Sequence, residues 1–98
     1  MIYRDRLDII SQILEATNGS SFTKTKIMYK AVLSYNQLKE YLPLLTEKDL
    51  LRYDENTQTF RTTGKGLRFL DIYNRIGDMI KEGQLLLPQQ QMWIQRGE

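Results

Sequence analysis

Between residues 4 and 16, Leu7, Ile10, Ile13 and Leu14 recur at helical spacing while Arg6, Asp8, Gln12 and Glu15 fall mostly outside the stripe. That pattern predicts an amphipathic helix with one buried face. It ends at Thr17-Asn18-Gly19-Ser20-Ser21, residues that favour turns and tolerate left-handed geometry. Thr23 can cap a short second helix by offering its hydroxyl to an unpaired backbone N–H, and Ile27, Met28 and Ala31 give that helix its inward face. After Leu33, Ser34 is placed to cap a third helix whose apolar positions Tyr35, Leu38, Leu42 and Leu45 step by three, four and three. The break between them reads as a tight turn. Pro43 lies inside the third pattern, where a proline removes one hydrogen bond and clashes with the preceding turn, so a kink near residues 39–43 or an early helix end is expected.

Beyond Leu50 the period changes. LLRYDENTQTFRTT predicts two short strands, Leu51–Asp54 and Thr59–Thr62, around a Glu55-Asn56-Thr57 turn. Thr63 then caps a further helix, in which Phe69, Tyr73, Ile76 and Ile80 step by four, three and four like a short coiled-coil seam. Leu70, with Leu67 as a second candidate, faces the core instead. Gly77 weakens this helix and Gly83 is placed to end it, after which LLLPQQQMWIQRGE carries three leucines, a proline suited to a helix start and the single tryptophan.

Helix, helix, tight turn, helix, hairpin, helix is the order of a winged helix-turn-helix: mainly α with a small β-hairpin, a three-helix core and a two-stranded wing, here followed by a C-terminal helix whose apolar seam makes it the candidate dimerisation helix. A chain of 98 residues supports one modest core. Residues 1–63 are expected to form the core and wing, and 64–98 the C-terminal helix and tail, a dimerisation element of the same domain.

Composition narrows the function. Neither cysteine nor histidine is present, which removes thiolate chemistry, the commonest zinc ligands and the usual general base near neutral pH. An enzyme, a metal site and a cofactor are not expected. GKG at residues 64–66 lacks the spacing and strand context of a phosphate loop. No apolar run approaches a membrane span or the core of a signal peptide, so a cytoplasmic protein is expected.

Net charge is only +2, yet windows 16–39 and 56–70 together hold seven bases and no acid. Such segregation creates a local positive field. The helix after the turn is the one that enters the DNA major groove, where Asn and Gln pair with adenine and Lys meets guanine or phosphate. Asn36, Gln37 and Lys39 are therefore the candidate base readers, with Ser34 at the cap. Lys24, Lys26 and Lys30 are the candidate phosphate contacts, and Arg52, Gln58 and Arg61 lie on the wing. Phe69, Tyr73, Ile76, Ile80 and, in the tail, Leu87 are the candidate dimer interface.

LSYNQLKEYLPLL, followed by DLLRYD and FRTTGKGLRFLDIY, resembles the small archaeal winged-helix family of DNA-binding regulators, some of them chromatin-associated. The resemblance spans residues 4–80 and lies in the order and spacing of soft motifs. It implies double-stranded DNA as partner, a nucleoid-associated place in the cytoplasm and a homodimer formed by antiparallel pairing of the last helix. Pro43 and the glycine-interrupted last helix depart from the family pattern. The sequence identifies no small-molecule effector. A winged-helix protein-interaction module is the rival expectation, favoured by Glu40, Pro43 and the apolar LLLP and MWI segments.

Overall fold

The computed structural model describes residues 5–81. Its elements run α1 (Arg6–Ala16), α2 (Lys24–Lys30), α3 (Tyr35–Glu47), β1 (Leu51–Asp54), β2 (Thr59–Thr62) and α4 (Gly64–Lys81). This is a mainly α domain with a two-stranded antiparallel wing, paired Leu51 to Thr62, Arg52 to Arg61, Tyr53 to Phe60 and Asp54 to Thr59. The tail expectations, including Leu87 and the stop at Gly83, lie outside the described residues.

Each helix start has a chemical cause. Asp5 accepts from the Asp8 N–H at 2.8 Å while the Asp8 carboxylate accepts from the Asp5 N–H at 3.3 Å, a reciprocal cap for α1. Ser34 and Gln37 repeat the device on α3, at 3.1 and 3.0 Å. Thr23 caps α2, and Thr63 accepts from the Gly66 N–H at the start of α4. The ends of α2 and α3 close by the same motif: Leu33 N–H donates to Met28 O and Leu50 N–H to Leu45 O, both at 2.9 Å. That motif needs a left-handed residue. Val32 (φ 54°) and Asp49 (φ 63°) supply it without being glycine, and for β-branched Val32 this is a strained conformation.

One core joins Ile9, Ile13 and Leu14 of α1 to Ile27, to Leu38, Tyr41, Leu42 and Leu45 of α3, and to Leu51, Phe60 and Leu70. Two helical expectations require correction. Leu7 is 54% exposed: Ile9, Ile13 and Ala16, at steps of four and three, form the inward row of α1, and Leu7 lies about 120° around the helix from Ile13. Tyr35 is 64% exposed and Tyr41 takes the inward place on α3. Tyr41 and Tyr35 flank the stripe of Leu38, Leu42 and Leu45 from opposite sides, each about 60° from Leu38; Tyr41 lies on the side where Arg6 of α1 packs, and Tyr35 on the side that opens to the groove beside Tyr53 and Phe60. Of the two core candidates at the start of α4, Leu70 is buried and Leu67 is exposed.

Of the two outcomes expected at Pro43, a kink or an early end to α3, the early end does not occur, since the helix continues through Pro43 to Glu47. A proline inside a helix costs about 3 kcal/mol, but a side chain such as Leu42 or Leu45, both nearly fully buried, contributes about 1.5–3 kcal/mol each. Their combined burial outweighs the proline. The exposed position of Pro43 also leaves its ring clear of the core.

Hydroxyls fasten the wing to α1. Buried Thr17 donates to Ile13 O at 3.0 Å and lies 2.6 Å from the Thr62 hydroxyl, which reaches Leu14 O at 2.7 Å. Phe22 forms an isolated antiparallel bridge to Phe60, extending the wing by one residue on its β2 side. Gly66 shows why GKG occurs where it does: a Cβ there would stand 2.6 Å from Leu50 O and 2.7 Å from a Thr62 methyl. The glycine permits close helix-to-strand packing.

Gly66→Ala should lower unfolding free energy by about 1–3 kcal/mol, the range for overpacking a tight site, as a reduced urea midpoint would show. The Tyr73 hydroxyl donates to the Asp8 carboxylate, tying α4 to α1. This bond, reinforced by partial burial, raises the Tyr73 pKa above the usual 10.0. Folding therefore stabilises the protonated phenol. The contribution is whole below the unfolded pKa and is lost as pH rises through the folded one. Urea midpoints from neutral to alkaline pH should fall less steeply in Tyr73→Phe than in the parent, and identical alkaline slopes would contradict the assignment.

Candidate nucleic-acid interface

Helix α3 follows α2 across a turn held by the left-handed Val32 and the Ser34–Gln37 cap. With Leu38, Leu42 and Leu45 inward, the opposite stripe of α3 carries Asn36, Glu40, Pro43 and Glu47. Asn36 is exposed in the first turn, the part of such a helix that reaches base edges. Gln37 is half-buried and its amide oxygen is taken by the Ser34 N–H. Ser34 is likewise engaged at the cap through its hydroxyl.

Lys39 lies toward the wing, with its ammonium 5.4 Å from the Tyr35 ring centre. It shares a groove with Lys24 from the first turn of α2 and with Tyr53 and Phe60 of the wing. Lys26 and Lys30 take a different side of α2, roughly 200° and 240° around the helix from Lys24. Both bracket Phe22, at 6.0 and 4.8 Å from its ring centre. The structure thus brings Lys24 and Lys39 together and holds Lys26 and Lys30 on a separate flank.

On the wing, Arg52 and Arg61 stand directly opposite each other and both are exposed. Like charges across a strand pair repel, so an anion bound between them would relieve a cost already present in the fold. Gln58 lies exposed in the turn at positive φ (55°), beyond the three turn residues expected from the sequence. Among the described residues the side-chain ion pairs are Arg6–Glu40 at 2.9 Å and Arg75–Asp71 at 3.2 Å. Neither involves the candidate lysines or the wing arginines.

Arg6 is a functional candidate that sequence reasoning missed. Its guanidinium pairs with Glu40 and lies 5.1 Å from the Tyr41 ring centre, partly neutralising the one acid in the first half of α3. The two residues are 34 positions apart, so no local pattern announces the contact.

On α4, Phe69 packs against the core and Tyr73 bonds Asp8, whereas Ile72, Ile76, Met79 and Ile80 remain 40–59% exposed. Of the candidate interface residues within the described range, Ile76 and Ile80 are outward, and Ile72 and Met79 extend their stripe at helical spacing. Among the described residues there is no cluster of acids that could hold a metal ion, and no helix is long and apolar enough to cross a membrane.

The crystal structure of Sso10a-2, a DNA-binding protein from Sulfolobus solfataricus, aligns with a TM-score of 0.71 at 17% identity, covering 97% of this chain and 100% of that one. At that identity the likeness speaks to the fold. The uncharacterized protein MJ0290 of Methanocaldococcus jannaschii is 31% identical over 64 residues, which make up 65% of this chain and 30% of that protein. This chain therefore matches less than a third of its relative's length. A family model described as winged helix-turn-helix matches residues 3–81, from before α1 to the last described residue of α4. With the turn, the helix that follows it and the wing all inside that match, the chain belongs to the winged helix-turn-helix family.

Proposed function

We propose that the protein binds duplex DNA as a homodimer of the small archaeal winged-helix type, acting as a transcriptional regulator or a chromatin-associated protein. The observation that carries this reading is the convergence of Lys24 and Lys39 on one groove between α2, α3 and the wing, with Asn36 exposed on the same helix. Lys24, Arg52 and Arg61 neutralise phosphates, and Lys26 and Lys30 extend the cationic surface along α2. Asn36 and Lys39 lie nearest the bases, while Ser34 and Gln37 fix the helix that presents them. Gln58 and Arg61 reach backbone or minor groove from the wing.

The second copy joins through α4. Burying an isoleucine or methionine is worth about 1.5–3 kcal/mol, a gain that Ile72, Ile76, Met79 and Ile80 forgo in a lone chain. Antiparallel pairing of α4 would cover them and place two reading helices on one duplex. A protein-interaction role is the second reading, favoured by the outward stripe of Glu40, Pro43 and Glu47 on α3. A mobility-shift assay on random duplex separates the two, because the interaction module would leave the duplex unshifted.

Affinity for labelled duplex should fall steeply with salt, each neutralised phosphate adding about 0.9 to the magnitude of the log–log slope. Lys24→Ala combined with Arg52→Ala should reduce that slope by about 1.8 and weaken all sequences alike. Asn36→Ala should instead change preference among sequences; equal weakening of every duplex would remove Asn36 from the base-reading role. For assembly, Ile76→Asp should move the light-scattering mass from dimer toward monomer, and an unaltered dimer mass would exclude the α4 stripe as the interface.

A further inference from the structure

The groove between α3 and the wing has a floor and walls unlike a phosphate track. Leu38, Leu42 and Phe60, all nearly buried, form its floor. Tyr53, its ring centre 4.7 Å from that of Phe60, forms the wing side, and Tyr35 and Pro43 form the helix side. The groove is open to solvent and has a volume of about 720 Å³, within the range of about 300–1,000 Å³ found for small-molecule sites. Phosphates need donors and water at hand, whereas this lining is predominantly carbon.

Charge gives the groove a direction. Lys39 lies on its α3 wall, and Lys24 reaches both the groove and the neighbouring hollow beside Thr57 and Gln58 at the wing tip. Glu47 stands at the other end of α3, eight residues from Lys39, a rise of about 12 Å along a helix. A ligand matching this order carries one negative charge at one end and an uncharged apolar body at the other. A second carboxylate at the far end would meet Glu47.

We propose that the groove binds an amphipathic organic monoanion, an aromatic carboxylate, with its carboxylate between Lys24 and Lys39 and its ring system over Leu42 and Phe60 between the two tyrosines. Hydrophobic contact supplies affinity and the two ammonium groups supply orientation. Both lysines also belong to the proposed DNA surface, so ligand and duplex exclude each other. This exclusion rests on the DNA-binding reading; the groove and its ligand class do not.

The test uses the full chain, labelled with nitrogen-15, titrated with 2-naphthoate and separately with the neutral 2-naphthalenemethanol. Saturable shifts are expected at the amides of Lys39, Leu42, Thr46 and Tyr53, with the acid bound about tenfold more tightly than the alcohol, the worth of one charge-assisted hydrogen bond. Lys24→Gln with Lys39→Gln should bring the acid down to the level of the alcohol. Thr46→Trp, at an exposed groove position, should block both while retaining a dispersed amide spectrum. Absence of saturation, equal affinity of the two probes in the parent, or undiminished binding in a folded Thr46→Trp would overturn the assignment. Shifts at the same amides on raising protein concentration without probe would assign the groove to a second copy and also overturn it. In a second arm, saturating 2-naphthoate should raise the apparent Kd for labelled duplex. Duplex binding that ignores a bound naphthoate would overturn the exclusion alone, whereas failure to bind duplex without naphthoate would overturn the DNA-binding reading and leave the groove intact.

Discussion

The Leu50 carbonyl is where three elements meet. It accepts the Thr63 N–H at 3.1 Å, and α4 passes so near it that residue 66 has no room for a side chain. On one side of it, the Leu50 N–H closes the end of α3; on the other, the Thr63 hydroxyl donates to Asp49 O at 2.7 Å and the Lys65 ammonium to Lys48 O at 2.9 Å. Each bond satisfies a carbonyl that a helix end leaves without an intrahelical partner, or a group beside it. The angle between α3 and the wing, and so the shape of everything lying between them, is set at this junction.

Electrostatics on this scaffold is unevenly managed. Arg6 answers Glu40 from another helix, yet Lys24, Lys39, Arg52 and Arg61 have no ion-pair partner among the described side chains. Exposed cations cost little while water and counterions surround them. The directly opposed arginines of the wing are the exception, since their repulsion is built into the strand register.

Local chemistry was the most legible part of the sequence. Thr23, Ser34 and Thr63 cap the helices expected of them, and both strands run over their expected residues because short β-branched and aromatic segments around a polar turn admit few alternatives. Inward and outward assignments failed where they depended on neighbours: Leu7 lies off the row of Ile9, Ile13 and Ala16, and Tyr35 and Tyr41 flank one leucine stripe from opposite sides, so that packing against α1 decides which of them is covered. The site divides similarly. Lys24 and Lys39 could be named from charge and helix position, but their separation from Lys26 and Lys30 depends on how α2 is rotated over Phe22. The apolar groove was invisible because its lining comes from α2, α3 and both strands, and each leucine or tyrosine in it looks like ordinary core within its own segment.

Val32 holds left-handed geometry with a branched side chain that is 73% exposed. Left-handed backbone costs a non-glycine residue about 1–2 kcal/mol, so the domain retains an unspent margin of thermal resilience at a surface position away from the wing. Directed evolution for heat tolerance has an obvious foothold there, one replacement that relaxes the loop while leaving the cationic face in its native chemistry.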